Sequence, residues 1–186
     1  FLAVAYGSWP IEKGHLFKII LMKLKLFTGV VNEVEATIIW DGRMPRLKVG
    51  VLVGISLATA GCIMQGIFKN PMASPGVIGV SSGAALGAVL AIYLGLAGRS
   101  LIALPICAIL ASLMTLVLVY AIATSRGHTS IPILLLAGIA LNLVVGAMTS
   151  FVITLGTREF DVGRVIVTWL MGDLNNRSWE HVYIVL

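Results

Sequence analysis

The chain has 186 residues, of which 59% are hydrophobic and only 11% charged. A soluble domain carries about 25% charged residues, so a water-soluble enzyme domain is excluded and the lipid bilayer is the natural solvent. The 13 basic and 8 acidic side chains, net +5, lie almost wholly outside the apolar runs, which directs the positive charge to headgroups or protein partners and not to nucleic acid.

The opening Phe1-Leu2-Ala3-Val4-Ala5-Tyr6 and the closing His181-Val182-Tyr183-Ile184-Val185-Leu186 read as spans cut in the middle. No charged leader precedes the first, so a signal peptide is not expected, and the chain is expected to be an internal piece of a longer membrane protein. Gly7 to Gly42 is mixed and too polar to span. It holds Lys13, Lys18, Lys23 and Lys25, and Ile19 to Phe27 predicts a short amphipathic helix at the interface. Four uncharged runs follow: Val49–Phe68, Val77–Ala97, Leu101–Ala123 and Ile131–Leu155. Each has the roughly 20 residues that a helix needs to cross a hydrocarbon core of about 30 Å. Lipid-exposed backbone must satisfy its own hydrogen bonds, so these runs predict helices. Arg158, Glu159, Asp161 and Arg164 then precede Val165 to Met171, an apolar piece too short to cross. Ser178-Trp179-Glu180 reads as an N-cap and first turn. Trp9, Trp40, Trp169 and Trp179 all fall near expected interfaces. The fold class is all-α, a polytopic transmembrane helical bundle.

Small residues recur at spacing four: Gly54 and Ala58, then Gly61; Gly79, Gly83, Gly87, Ala91 and Gly95; and Gly138, Asn142, Gly146, Ser150 and Thr154. Such faces let helix backbones approach closely in lipid, and the same face also suits a transport path. Leu113 to Tyr120 is bulky and is expected to face lipid. Gln65 and Asn142 are the polar groups inside spans; each either bonds a neighbouring helix or lines a wet cavity. No Asp, Glu, Lys or Arg lies within a span, which argues against proton or sodium coupling and places any energy source outside this segment.

Catalytic chemistry is not supported. His15, His128 and His181 are widely separated without zinc spacing, and no Walker A signature is present. No metal and no cofactor are expected. Ser81 and Ser82 read as back-bonding or packing serines. Cys62 and Cys107 read as buried small hydrophobes.

Three stretches carry a resemblance: Arg43-Met44-Pro45-Arg46-Leu47, the run Ala60 to Ala84 with its Asn70-Pro71-Met72-Ala73-Ser74-Pro75-Gly76 centre, and Leu134 to Leu141 followed by Trp169-Leu170-Met171-Gly172. Together they closely resemble the FecCD/BtuC-like permease family of type II ABC importers, which take up iron-siderophores, haem and vitamin B12. The resemblance covers essentially the whole chain. It implies the N-terminal half of a permease of about ten spans: the end of a first span, an external stretch 9–46, spans at about 47–69, 77–97, 101–123 and 131–155, an external partial helix at 160–172, and a further span from about 178. Loop charge alone gives the reverse orientation.

The resemblance also implies partners and roles. The partners are a second permease subunit (homodimer or fused half), two cytoplasmic ATPase subunits that bind the ATP, and an extracytoplasmic substrate-binding protein. Arg43 and Arg46 match arginines that pair with carboxylates of that binding protein, a task suited to the planar guanidinium, with Pro45 setting the helix start. The alternative is a pair of headgroup-binding arginines. The resemblance implies that Asn70 and Met72 look into an inner gate to which Ser130, Ile131 and Pro132 also contribute, although Ile-Pro stands there in place of a relative's small hydroxyl residues; a plain turn is the alternative at both. The implied function is uptake of an iron-siderophore or related metal chelate across a bacterial or archaeal cell membrane. The competing reading is a channel or secondary transporter not coupled to ATP.

Overall fold

The computed structural model describes residues 11–24, 26, 32–125, 128–157, 160–175 and 177–186. The expected end of a first span, Trp9, Lys25, Arg126, Arg158 and Glu159 lie outside these. The chain forms two compact units, one built from residues up to Leu57 together with Leu174–Leu186, the other from Ala58–Asp173.

In the first unit, α1 (Lys13–Lys23) lays Leu16 and Ile19, both fully buried, against Ala36 and Ile39. Helix α2 (Glu33–Thr37) starts at Asn32, whose side chain accepts a hydrogen bond from the Val34 N–H at 3.0 Å, with Glu33 and Glu35 in the first turn. An N-cap oxygen and acidic first-turn residues both favour a helix start here. The helix then passes through a π-helical segment, Ile38–Arg43, into α3 (Met44–Phe68). The result is one continuous helical stretch from Glu33 to Phe68.

Pro45 therefore lies inside a helix, not at its start as the sequence suggested. Its ring clashes with the carbonyl four residues back in an α-helix, and it has no N–H to give. The π segment immediately before it provides the extra room. The Met44 N–H bonds the Ile39 carbonyl, so the next π partner of the Trp40 carbonyl would be Pro45, which cannot donate. The Trp179 indole N–H fills that vacancy at 3.1 Å. The two indole rings lie 5.2 Å apart and tilted, and Lys48 Nζ sits 4.4 Å over the Trp179 ring. Trp179 opens α8 (Trp179–Val185), capped by Ser178, whose backbone N–H donates to His181 Nδ1.

The second unit begins in the last part of α3. That helix ends in a left-handed turn: Lys69 has φ 48°, the Asn70 N–H bonds the Gln65 carbonyl and the Lys69 N–H bonds the Gly66 carbonyl. This bond pair is usually closed by glycine, and a lysine there carries the left-handed penalty of about 1 kcal/mol. Lys69→Gly is accordingly expected to raise stability by up to about 1 kcal/mol, read as a higher unfolding temperature in detergent; a lower one would contradict the assignment.

A 3₁₀ turn at Pro75–Ile78 leads into α4 (Val80–Tyr93). Within the expected second span, 77–97, the α-helix is shorter than the apolar run. Gly79 at φ 89° and Gly95 at φ 70° bound a 14-residue helix, about 21 Å long at 1.5 Å per residue and short of the roughly 30 Å hydrocarbon core. Helix α5 (Ala103–Ala123) follows, then a two-residue antiparallel pair, β1 (Thr124–Ser125) and β2 (His128–Thr129). Helix α6 (Ile131–Gly156) has Pro near its first turn, where a missing N–H costs nothing. Helix α7 (Phe160–Leu170) packs Ile166 into a core with Val89, Ile92 and Val152; Trp169 joins that core at its margin.

Among the described residues, three helices are long and apolar enough to cross a membrane: Glu33–Phe68, Ala103–Ala123 and Ile131–Gly156. The bulky face of α5 is open, with Leu113, Met114, Val117 and Tyr120 all at least half exposed, while Thr115 and Val119 are buried. Cys62 is exposed in this chain, against expectation.

Candidate functional site

The polar centre of the second unit is built where the chain breaks between α3 and α4. Asn142, on α6, faces that break. Its Nδ2 donates to the Gly76 carbonyl at 2.9 Å and to the Val77 carbonyl at 3.4 Å. Its Oδ1 accepts from Ser82 Oγ at 2.5 Å, and the same hydroxyl lies 3.0 Å from the Gly79 carbonyl. The carbonyls at 76 and 77 belong to a single 3₁₀ turn, whose backbone groups lack α-helical partners. One side-chain amide thus satisfies the turn on one side and the first turn of α4 on the other. Of the two readings open for Asn142, this geometry is the one that joins elements. Ser82 is the residue sequence reasoning undervalued: its partner lies sixty positions away and leaves no local signal.

Close backbone approach makes this bond possible. A Cβ on Gly138 would collide with the Val77 carbonyl oxygen and stand 2.9 Å from Ile78 Cα. Along α4, a Cβ on Gly79 would stand 2.8 Å from Thr115 Cγ2, one on Gly83 would meet Thr115 Oγ1, and one on Gly87 would collide with the Cys107 carbonyl. Thr115 is buried and returns its own hydroxyl to the Ala111 carbonyl at 2.8 Å, so no donor is stranded in the contact. Gly83, Gly87 and Gly138 therefore sit where a neighbouring backbone comes close, and Gly79 where the Thr115 side chain presses on the chain. Gly54, Gly61 and Gly146 have nothing within 4 Å of a built Cβ and face open space in the chain by itself. Gly95 closes a helix instead of lining one: the Leu96 N–H bonds the Ala91 carbonyl and the Gly95 N–H bonds the Ile92 carbonyl.

The residues expected at a gate are mostly exposed. Asn70 Oδ1 accepts from the Met72 N–H at 2.9 Å, an Asx turn that stiffens the start of the loop. Met72 itself is 84% exposed. Gln65 is exposed one turn before the end of α3. Ser130 is the N-cap residue of α6 without a side-chain capping bond, and Ile131 and Pro132 are exposed beside it. The loop 69–79 reaches α6 at Gly138 and Asn142, about two and three turns in from Ile131. In the first unit, Arg43 closes the π segment, half-buried and already engaged. Arg46 follows three positions later, exposed, and three positions place two helical residues on neighbouring sites of one face.

Among the described residues, no group of three His, Cys, Asp or Glu is placed to hold a metal ion, and no buried side-chain polar atom is left without a partner. Apolar helices of spanning length, a broken helix pinned by an amide, and glycine-lined helix contacts define a polytopic membrane protein.

Comparison with known proteins gives the class a family. The model of the FecCD transport family matches residues 1–186, and the chain belongs to that family. It is 43% identical over 156 residues to the cobalamin import system permease protein BtuC of Halobacterium salinarum, covering 84% of this chain and 41% of that one. It is 37% identical over 184 residues to the vitamin B12 import system permease protein BtuC of Citrobacter koseri, covering 98% of this chain and 48% of that one. The chain thus spans less than half the length of these curated relatives. A solved structure described as an inward-facing conformation of a metal-chelate type ABC transporter superposes with a TM-score of 0.70 at 32% identity, covering 92% of this chain and 55% of that one. The fold is the all-α, BtuC-like permease fold of ABC importers, with several membrane-spanning helices, and the protein is a multi-pass membrane protein.

Proposed function

We propose that the full-length protein is the membrane-spanning permease of a binding-protein-dependent ABC importer whose cargo is a metal chelate. The observation that carries this is the family match along all 186 residues, joined to the apolar stretches 49–68, 103–123 and 131–156, which hold no charged side chain with which to drive transport themselves. The relatives support the cargo class: cobalamin is a cobalt chelate, and the solved relative is described as of metal-chelate type. An iron-siderophore is our favoured cargo within that class. A channel or a secondary transporter finds no support among the relatives.

In this reading the whole permease has about ten spans and pairs with a second copy or a fused half. Two cytoplasmic ATPases bind ATP and drive the pair between outward-open and inward-open states. A soluble binding protein delivers cargo to the outer face, where Arg43 and Arg46 pair with its carboxylates. Asn70, Met72 and Ser130 to Pro132 shape the inner mouth, with Gln65 behind them on the path. Small and neutral linings suit a bulky chelate that must slide through without being held. The test is reconstitution of the complete permease in liposomes with its ATPase. Stimulation of ATP hydrolysis by the binding protein, with accumulation of chelate inside, is the expected result; uptake indifferent to both proteins would overturn it.

The arginine pair gives a separate prediction. Reversing both charges, Arg43→Glu with Arg46→Glu, turns attraction into repulsion at a cost of several kcal/mol. Binding-protein stimulation is expected to fall by at least about tenfold, with membrane insertion retained. Unchanged stimulation would leave the pair as headgroup anchors.

A further inference from the structure

Helix α1 has three faces. Leu16, Ile19 and Ile20 pack on the Ala36–Ile39 core, with Met44 and Leu47 of the long helix at its margin. His15 stands on a second face, where its Nδ1 meets Glu35 Oε2 at 2.9 Å and its Nε2 lies 3.9 Å from Glu12. The third face is apolar and uncovered. Phe17 is 58% and Leu24 56% exposed, and with the half-exposed Leu21 they fall at positions i, i+4 and i+7, one stripe of a helix. That stripe lies about a third of a turn from the buried face.

We propose that this stripe inserts into the headgroup boundary of an anionic bilayer, making α1 an interfacial helix that ties the first unit to lipid. Three observations select lipid over other occupants. The helix carries Lys13, Lys18 and Lys23 and no acidic residue, and the exposed Lys18 borders the stripe, so the chemistry complements phosphate-bearing headgroups. The helix packs on the N-terminal part of Glu33–Phe68, itself of spanning length and hydropathy, which places it beside a membrane crossing. Three side chains also fall well short of the about 800 Å² per partner that a stable protein interface buries, so a second copy of the chain is a poor occupant for this stripe alone. The consequence reaches the arginine region: α1 braces the π segment that ends at Arg43 through Ile19 and Ile39, so lipid seating of α1 would steady that end of the long helix.

The test uses the full-length protein with Cys62→Ala and Cys107→Ala, and any other cysteines removed, reconstituted in vesicles of phosphatidylcholine with phosphatidylglycerol. Single variants Phe17→Cys, Leu21→Cys and Leu24→Cys carry an environment-sensitive fluorophore. Expected are quenching by chain-brominated lipids at all three sites, protection from aqueous iodide, and a preference for brominated phosphatidylglycerol over phosphatidylcholine of about fivefold that falls toward one in Lys18→Gln. Quenching by iodide would make the stripe a solvent face. Shielding from both quenchers would mean a protein partner covers it. Equal quenching by the two lipids would remove the role of Lys18. Each of these overturns the proposal, and none depends on whether the protein imports a chelate, since no transport is read.

Discussion

Gly87→Val is expected to cost the folded protein about 3 kcal/mol or more, enough to deplete it from the membrane. A built Cβ at Gly87 collides with the carbonyl oxygen of Cys107 and stands 2.7 Å from Ala111 Cβ. The obstacle is the backbone of α5, which cannot rotate away as a side chain can, so α4 and α5 must separate. Added methylenes in a packed interior typically cost about 1–3 kcal/mol, and a rigid backbone neighbour puts this site at the upper end. Separation would also uncover the Thr115 contact with Gly83 and the Gly79 contact with Thr115 one and two turns away. Gly87→Ala is expected to give a smaller loss of the same sign. Gly146→Ala, on a helix position with nothing within 4 Å, is expected within about 0.5 kcal/mol of the parent. Thermal unfolding of the purified protein in detergent, followed by tryptophan fluorescence, ranks the three. A Gly87→Val protein as stable as Gly146→Ala would refute the close approach.

The same contrast shows what the sequence could and could not convey. Spacing four marks glycines on one face but does not say whether a helix lies opposite, and so Gly83 and Gly146 look alike in the sequence and differ in the structure. Gly79 and Gly95 continue the stripe of α4 in the sequence, yet both adopt positive φ and bound the helix. A left-handed glycine and a packing glycine have the same letter, and this is why a 21-residue apolar run folds as a 14-residue helix. Long apolar runs alone were enough for the 103–123 and 131–156 helices, because lipid leaves the backbone no alternative. At Pro45 the local rule pointed to a helix start. The outcome was decided by a π segment and by an indole N–H from residue 179, a partner no local pattern announces. Arg43 and Arg46 were legible as a motif, and the π-to-α junction between them was not.

Asn142 carries the second large effect, and its variants separate a structural bond from a lining residue. In Asn142→Leu the side chain keeps its approximate volume and loses both donors and the acceptor. The Gly76 carbonyl, held at 2.9 Å, then keeps only its 3.3 Å bond from the Gly79 N–H, and losing the amide's bonds to Gly76, Val77 and Ser82 together costs about 1–3 kcal/mol. Asn142→Asp is expected to be worse: the acceptor toward Ser82 survives, but a carboxylate oxygen replaces the Nδ2 donor and faces two carbonyl oxygens. Only protonation or rearrangement relieves that, since a buried charge without a partner is costlier than a missing bond. The damage should be local first. Amides of the 75–80 segment are expected to exchange with solvent about 30-fold faster in Asn142→Leu, the equivalent of about 2 kcal/mol lost from local opening, while the α5 amides change little. If the proposed importer gates at Asn70 and Met72, which sit on the same loop, its transport should fall in step with that loosening. Gly138→Ala offers an independent route to the same end: its methyl drives against the Val77 carbonyl and pushes the turn from Asn142 without touching the amide. Faster exchange at 75–80 in both variants would establish the bond as the pin of the broken helix. Parent-like exchange in Asn142→Leu, with transport lost all the same, would assign Asn142 to the wall of the path instead.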